Sequence, residues 1–306
     1  MKNIMNRVYS ELLNGHSVSL AVLIEVVGSS PNKAGATIAI FESGETIGTI
    51  GGGAIEFFSI AEAFKNKNVQ LLKDVSLTDS DERSVGMTCG GSAKILIRRF
   101  VSSDAELFHN LSDIERDKWL VFDLSSERAY IADSGAASPI LLNETFILPV
   151  LKPEGAFVFG GGHIAIELVP ILKQLNFFVS VFDDRTDFST VDRFPSADSV
   201  AFVDFSDVKI DSITERDFVF VLTHGHIFDT AVLSQVLKSE ARYIGCVGST
   251  KKTAAMKTAL SALGFSDANL NRIHSPIGLK IAAKSPAEIA ISIAAEVILN
   301  RRTQNA

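Results

Sequence analysis

The sequence predicts an α/β protein of two domains, an N-terminal α+β domain with a mixed sheet and a C-terminal domain with a doubly wound parallel sheet. The chain has 306 residues, about twice the length of a typical domain. Beyond residue 155, short continuous apolar runs alternate with helical stretches, which is typical of parallel strands buried on both faces. We therefore predict domains at 1–150 and 151–306, with 101–150 as a connecting region whose role the sequence does not define.

The elements of the first domain follow from its hydrophobic pattern. Ile4, Val8 and Leu12 share one face of a helix over 3–14. Between two later strands lies a polar, glycine-bearing loop, "TDSDERSVGMTCGGS" (78–92). The remaining predicted elements are strands at 18–27, 36–42, 46–50, 69–77 and 93–100 and helices at 54–66 and about 104–117.

The second domain shows strict alternation of strand and helix. Its predicted strands are 156–160, 177–183, 199–203, 217–223 and 242–248, and its helices include 163–175, 229–240 and 250–262. The last helix starts with a capping box, in which Ser285 is the N-cap, Pro286 the first helical residue and Glu288 the third. Helical crossovers between apolar strands predict a parallel sheet.

Composition and charge restrict the class of partner. Lys and Arg number 29 against 36 Asp and Glu, for a net charge of −7. No run of basic residues stands out, which argues against nucleic acid as a general partner. Two cysteines, Cys89 and Cys246, make no disulfide framework and fit a reducing cytoplasm. The apolar run at 18–27 contains Glu25 and is far shorter than the ~20 residues of a membrane span. We expect a cytoplasmic protein without a membrane segment, in which Cys246 is a buried core residue.

The segment "FVFGGGHIA" (157–165) predicts a Rossmann-like nucleotide site. Gly160 permits a tight turn, and Gly162 lets the backbone approach a pyrophosphate at the start of the next helix. Ala165 allows close packing of helix on strand. Asp183 ends the following strand, at a spacing that suits an acid bonding a ribose hydroxyl.

Each part of this motif also has a plainer interpretation. The glycines could simply form a turn between strand and helix. His163 could donate to a phosphate or be a bystander at an exposed position. Arg185 could contact a 2′-phosphate or another anion, or could pair with Asp183 or Asp184.

The segment "LTHGHIFDT" follows the fourth predicted strand, at the edge where open α/β sheets place ligands. His224, His226 and Asp229 are candidate metal ligands, because imidazole and carboxylate suit zinc or iron. Ligand contact without a metal and capping of the next helix are the alternatives, with Asp229 at or near an N-cap.

Two loops of the first domain also have ligand-binding character. "GSSPNKAG" places Lys33 near a turn, and Cys89 lies in a polar, glycine-flanked loop that favours an exposed thiol of lowered pKa. A thiolate is a ligand for a soft metal centre, and the alternative is an incidental surface cysteine. A second triplet, "GTIGGGAIE" (48–56), follows a strand but lacks a ribose-type acid, so it predicts a close-approach loop.

Several motifs together resemble the XdhC/CoxI family of xanthine dehydrogenase accessory proteins. They are "GSSPNKAGATIAI", "GTIGGGAIE", "GMTCGG", "VFGGGHIA", "VFDDR", "LTHGHIFD", "YIGCVGSTKK" and "SPIGLKIAAKSPAEIAISIAAE". The resemblance runs from about residue 18 to 299, with 101–150 lacking motif support. It implies a C-terminal Rossmann domain and binding of the molybdenum cofactor through the residues that match the family's "CGG" and "GGG-x-x-E" motifs. Those residues are Cys89, Gly90, Gly91, Gly51, Gly52, Gly53 and Glu56.

Two positions depart from the family pattern. Asn32 follows the proline of "GS-x-P", where arginine is frequent in the family, so the expected anion contact there depends on Lys33. Thr88 replaces the first cysteine of a frequent pair, which argues against a dithiol and leaves one thiolate at Cys89.

The resemblance implies an accessory protein that protects molybdenum cofactor (molybdopterin, in a mono- or dinucleotide form) and delivers it to a molybdenum hydroxylase apoenzyme. A cysteine desulfurase-type sulfur donor and a second copy in a homodimer are the further partners we expect. A non-catalytic maturation chaperone is the favoured interpretation. The alternatives are an NAD(P)-dependent oxidoreductase and a nucleotide- or metal-sensing regulator.

Overall fold

A computed structural model describes residues 1–30, 32–65, 68–76, 91–112, 116–208, 213–224 and 226–303, with backbone alone at Lys2, His226 and Ile227. The chain divides into two compact units, Met1–Lys152 and Pro153–Ala306. The predicted domain boundary lies beside this division. None of the helices in the described ranges has the length and hydropathy that a bilayer crossing requires.

The first unit begins with a five-stranded sheet and two helices. Its elements are α1 (Lys2–Leu13), β1 (Val18–Val27), β2 (Thr37–Phe41), β3 (Thr46–Gly48), α2 (Gly53–Lys65), β4 (Gln70–Ser76) and β5 (Ser92–Phe100). The strand order is β3-β2-β1-β5-β4 and every pair is antiparallel. The expected mixed sheet is therefore wrong. The helix α2 joins β3 to β4, which lie on opposite edges, so no two neighbouring strands have the helical crossover that parallel pairing needs.

The central strand β1 is buried on both faces, which explains its continuous apolar sequence. Leu20 and Val22 pack into one core with α1, whereas Ala21 and Leu23 pack into another with Ile55 of α2. Successive side chains of a strand point to opposite faces, so one apolar run serves two layers.

Residues 101–150 form a second antiparallel sheet that shares a core with α1. The elements are a 3₁₀ turn (Ser102–Asp104), α3 (Ala105–Ser112), β6 (Lys118–Asp123), β7 (Arg128–Ala132), β8 (Ile140–Leu142) and β9 (Thr145–Val150). The strand order is β7-β6-β9-β8. Phe108, Phe122 and Phe146 are fully buried in the same core as Val8 and Leu12. This region is therefore part of the first unit's core and does not act as a linker.

The second unit is a six-stranded parallel sheet of order β12-β11-β10-β13-β14-β15. Its elements are β10 (Gly155–Phe159), α4 (His163–Gln174), β11 (Phe178–Asp183), β12 (Ser199–Phe202), β13 (Phe218–Val221), α5 (His226–Val236), β14 (Tyr243–Cys246), α6 (Thr250–Ala262), α7 (Asp267–Asn271), β15 (Ile273–His274) and α8 (Pro286–Thr303). The doubly wound parallel sheet is confirmed. The strand β15 was not predicted, because two residues carry no periodicity.

Helices cover both faces of the parallel sheet. Leu168 of α4 and Ile293 of α8 pack on one face, and Val232 of α5 and Leu260 of α6 pack on the other. Cys246 is 1% exposed within this second core, as predicted. The predicted capping box of α8 is present, since the Ser285 N–H donates to Glu288 Oε2 at 3.0 Å and the Glu288 N–H donates to Ser285 Oγ at 3.3 Å.

Candidate functional site

The carboxyl edge of the parallel sheet brings three loops together in the second unit. The chain leaves β10 toward β11 and β12 on one side and returns to β13 on the other. In open α/β sheets a ligand crevice forms at such a switch point, outside the carboxyl ends of the strands. The loops that meet here are 160–162, 184–188 and 222–224.

In the loop at 160–162, a different physical reason accounts for glycine at each position. Gly160 has φ +110°, and an added Cβ would lie 2.3 Å from the backbone oxygen of Leu222. At Gly161 a Cβ would lie 2.3 Å from the backbone oxygen of Phe188. At Gly162 a Cβ would meet nothing within 4 Å, and φ is −74°. Protein packing and conformation thus explain the first two glycines but not Gly162.

The helix α4 begins directly after this loop. Gly162 is its N-cap and provides no side-chain cap, so N–H groups of the first turn point to the space beside it. His163 is the first helical residue and is exposed. A helix start with uncapped N–H groups attracts phosphate oxygens.

Asp183 ties the glycine loop to the neighbouring strand. Its carboxylate is 0% exposed and accepts from the Gly161 N–H at 2.6 Å and the Arg185 N–H at 2.9 Å. The Arg185 guanidinium donates to both carboxylate oxygens, at 2.8 and 2.9 Å. Burial alone would raise the pKa of Asp183, but the hydrogen bonds from Arg185 and Gly161 outweigh it and lower the pKa. The ribose contact by Asp183 stays a prediction, and this burial counts against it.

Arg185 pairs with Asp183, which was the alternative to contact with a 2′-phosphate or another anion. Its guanidinium also stacks on the Phe188 ring, 3.6 Å from the centroid, and Arg193 lies 4.5 Å from the same centroid. Arg193 in turn donates to the Gly161 carbonyl at 2.9 Å. The loop after β11 is therefore held against the glycine loop by cations and an aromatic ring.

The pair of Asp184 and His224 was not predicted. His224 Nε2 lies 3.0 Å from Asp184 Oδ1, and the two side chains are 39% and 15% exposed. Asp184 follows β11 and His224 follows β13, which flank β10, so the pair connects the loops on both sides of the glycine loop. The sequence signal was the second acid of "FDDR". When Asp183 is buried, the next side chain points the other way.

Asp229 lies in the first turn of α5 and has a buried partner. It is 6% exposed, and Thr223 Oγ1 donates to its Oδ1 at 2.5 Å. His224 contacts Asp184 instead, and the side chain of His226 lies outside the described residues. No group of three His, Cys, Asp or Glu residues that suits a metal ion exists among the described side chains. The metal site at His224, His226 and Asp229 stays a prediction.

In the first unit, the other glycine triplet is closed by Glu56 of α2. Glu56 Oε1 accepts from the Thr49 hydroxyl at 2.5 Å, the Ile50 N–H at 3.0 Å and the Gly52 N–H at 2.9 Å. Burial pushes the pKa of Glu56 up, but these bonds outweigh it and lower the pKa. The φ angles of the three glycines, Gly51, Gly52 and Gly53, are all positive, at 137°, 72° and 58°. The loop's own conformation therefore explains these glycines.

Gly91 brings the start of β5 against the end of β1. A Cβ on Gly91 would lie 2.5 Å from the backbone oxygens of Val27 and Ser29. The hydroxyl of the next residue, Ser30, is buried and has no hydrogen-bond partner among the described residues. Lys33 is exposed and forms no ion pair in the described ranges. Cys89 and Gly90, predicted to contact the cofactor, lie outside the described residues.

Comparison with known proteins gives two family matches on this chain. Residues 157–297 match the model of the XdhC Rossmann domain, and residues 12–66 match that of the XdhC and CoxI family. The first matched region contains the carboxyl edge described above, and the second contains the Glu56 loop.

Relatives and a solved structure match over most of the chain. A Bacillus subtilis protein, named as a probable subunit of xanthine dehydrogenase, is 24% identical, over 92% of this chain and 93% of its own length. The Escherichia coli molybdenum cofactor insertion chaperone PaoD is 21% identical, over 97% and 87%. A crystal structure from Bacillus halodurans, described as a xanthine dehydrogenase, superposes with a TM-score of 0.81 at 25% identity, over 98% and 96% of the two chains.

Proposed function

Because the chain belongs to the XdhC and CoxI family, we propose that it binds the molybdenum cofactor and delivers it to the apoenzyme of a xanthine dehydrogenase-type molybdenum hydroxylase. The names of the relatives support this role, since one is a molybdenum cofactor insertion chaperone and another is a probable part of xanthine dehydrogenase. A non-catalytic role is part of the proposal. The molybdenum centre supplies redox chemistry only in the client enzyme, and this chain has to hold and release the group.

The observation that carries the proposal is the open space at Gly162. Neither conformation nor packing explains a glycine there, whereas the approach of a ligand phosphate does. The phosphate of the cofactor, or the nucleotide of its dinucleotide form, would accept from N–H groups at the start of α4. His163, exposed at the same helix start, would donate to it.

The first unit offers a second set of groups that suits the cofactor. The buried Ser30 hydroxyl lacks a partner among the described residues, and burying a hydroxyl without a partner is costly unless something fills the place. A thiolate at Cys89 suits a soft metal centre, and Lys33 suits an anionic group. The described strands next to these residues in sequence meet at one end of the five-stranded sheet, where Ser92 of β5 pairs with Val27 of β1 and Ser76 of β4.

The partners of this role remain proposals. They are the hydroxylase apoenzyme, a cysteine desulfurase-type sulfur donor and a second copy in a homodimer, all in the cytoplasm.

The experiment is a loading and transfer assay. Purified protein is incubated with released molybdenum cofactor, the retained pterin is measured by fluorescence after oxidation, and an apo-hydroxylase is then added and its activity followed. We expect stoichiometric retention and faster activation than with free cofactor. Retention no greater than on an unrelated protein would contradict the proposal.

The cysteines provide a matched control in this assay. We expect Cys89→Ala to lower retention at least tenfold, because it removes the soft ligand. Cys246→Ala should stay within twofold of wild type, because that thiol is 1% exposed in the core. Full retention by Cys89→Ala would remove the thiol from the proposal while leaving the phosphate site standing.

An NAD(P)-dependent oxidoreductase is a second candidate, favoured by the strand order and the glycine loop, which are shared with dinucleotide enzymes. Titration with NAD(H) and NADP(H) tests it. Turnover with a nicotinamide would support this candidate against the chaperone.

A further inference from the structure

A cavity of about 730 Å³ lies between α5 and α6, at the carboxyl ends of β14 and β15. We call it the α5–α6 cavity. Small-molecule sites typically measure about 300–1,000 Å³, so its size suits a ligand of moderate mass. Residues of the glycine loop at 160–162 are not among those that line it.

Several polar side chains that line the α5–α6 cavity are held in place by hydrogen bonds. The hydroxyls of Thr253 and Ser275 lie 2.8 Å apart, and Thr253 also donates to the Ser249 carbonyl at 3.1 Å. Asp229 also lines the cavity and accepts from Thr223. Polar side chains that are already ordered lose little conformational entropy when a ligand binds.

One wall of the cavity is an apolar face of α6. Ala255, Met256, Ala259 and Leu263 line it at helical spacing, and Leu263 is 63% exposed. A ligand's apolar body along this wall would remove exposed carbon surface from water, which favours binding.

Two lysines of the lining set the preferred charge of the ligand. Lys251 and Lys252 both line the cavity, and neither forms an ion pair with any residue of the described ranges. Two unpaired ammonium groups outnumber the one carboxylate of Asp229 and favour an anionic group.

We propose that the α5–α6 cavity binds an amphipathic organic anion, with its carboxylate or phosphate at Lys251 and Lys252 and its apolar body along α6. This binding is independent of the proposed function, because it rests on residues to which no part of the molybdenum cofactor is assigned. The start of α4, to which the proposed function assigns the phosphate, does not line this cavity.

The test uses defined probes on the full chain. Binding of 8-anilinonaphthalene-1-sulfonate is followed by fluorescence and calorimetry, and octanoate, phenyl phosphate and octanol compete with it. We expect one probe per chain and at least tenfold tighter competition by octanoate than by octanol. Whether octanoate or phenyl phosphate competes better identifies the preferred head group. Competition by octanol equal to that by both anions would overturn the proposal.

Variants locate the binding. Lys251→Gln with Lys252→Gln should weaken the probe at least tenfold, and Ala259→Trp, at an exposed position that tolerates bulk, should abolish binding by filling the cavity. Lys257→Gln, on the same helix but outside the lining, is the charge-matched control and should stay within twofold. Wild-type affinity in both the lysine and tryptophan variants would overturn the proposal, whatever the outcome of the cofactor assay.

Discussion

The two glycine triplets of this chain have the same sequence, but different interactions hold the two loops in place. In the first, an acid of the following helix, Glu56, accepts from the loop itself. In the second, an acid of a neighbouring strand, Asp183, accepts from Gly161. The first loop is thus closed locally, whereas the second is fastened across the sheet.

The difference teaches which glycines a ligand explains. All three glycines of the first triplet have positive φ, a conformation that side chains rarely adopt. In the second triplet only Gly160 does, Gly161 is required by packing, and Gly162 is required by neither. A glycine that the protein does not need for itself is the best indication of a ligand.

The largest effect that tests this comparison is expected for Gly160→Ala. An alanine here would have to adopt φ +110°. Its Cβ would lie 2.3 Å from the backbone oxygen of Leu222, which cannot move without the rest of its chain segment. Conformational strain and overpacking together should lower the free energy of unfolding by about 3–5 kcal/mol. Urea denaturation measures it, and a loss below ~1 kcal/mol would show that the turn is not conformationally constrained.

Asp183→Asn is expected to have the next largest effect. It removes charge-assisted bonds from Arg185 and Gly161 and should cost about 2–3 kcal/mol at pH 7. Because folding lowers the pKa of Asp183, its stabilisation is complete above the unfolded pKa of about 3.9 and is lost as pH falls through the folded value. The variant's unfolding free energy should therefore fall less than wild type's between pH 5 and pH 3, and parallel profiles would contradict this.

Glu56→Gln should have a smaller effect, about 1 kcal/mol, because Glu56 is less buried than Asp183 and its bonds come from one local loop. Folding also lowers the pKa of Glu56, so its contribution to the unfolding free energy is likewise lost as pH falls. This loss begins near the unfolded glutamate pKa of about 4.3. Thermal unfolding at pH 7 and pH 4 checks both points. A penalty as large as that of Asp183→Asn would erase the distinction between local and cross-sheet closure.

Gly162→Ala should have the smallest effect on stability. With φ −74° and no atom within 4 Å of the new Cβ, the one expected cost is that alanine is less favourable than glycine at an N-cap, so the unfolding free energy should fall by less than about 1 kcal/mol. Chemical denaturation of wild type and variant in parallel measures it. A loss of more than ~1 kcal/mol would mean that the protein itself needs this glycine.

Much of the second unit could be predicted from sequence, because its signals are local. The apolar strands, the glycine loop before α4 and the capping box at Ser285 each act over a few residues. The antiparallel sheet of the first unit could not be predicted equally well, since pairing direction depends on which strands become neighbours. The two-residue strand β15 is too short for any pattern.

The candidate site likewise has features that the sequence predicts and features that depend on tertiary contacts. Gly160 and Gly162 were identified by spacing, and the structure separates their causes only through contacts with Leu222 and open space. Which acid of "FDDR" is buried depends on side-chain direction at the end of β11, so Asp183 was favoured and the contact of Asp184 with His224 was missed. The orphaned Ser30 hydroxyl is a tertiary property, seen among the described residues, that no local motif indicates.

The most direct test of the central claim is equilibrium binding of molybdenum cofactor, in mononucleotide and dinucleotide forms, to wild type, Gly162→Ala and Gln174→Ala. Gln174 is exposed at the far end of α4 and serves as the control. We predict that a methyl group at 162 weakens binding at least tenfold while lowering the unfolding free energy by less than about 1 kcal/mol, and that Gln174→Ala binds within twofold of wild type. Equal affinity of all three proteins would contradict the assignment of the start of α4 as the phosphate site.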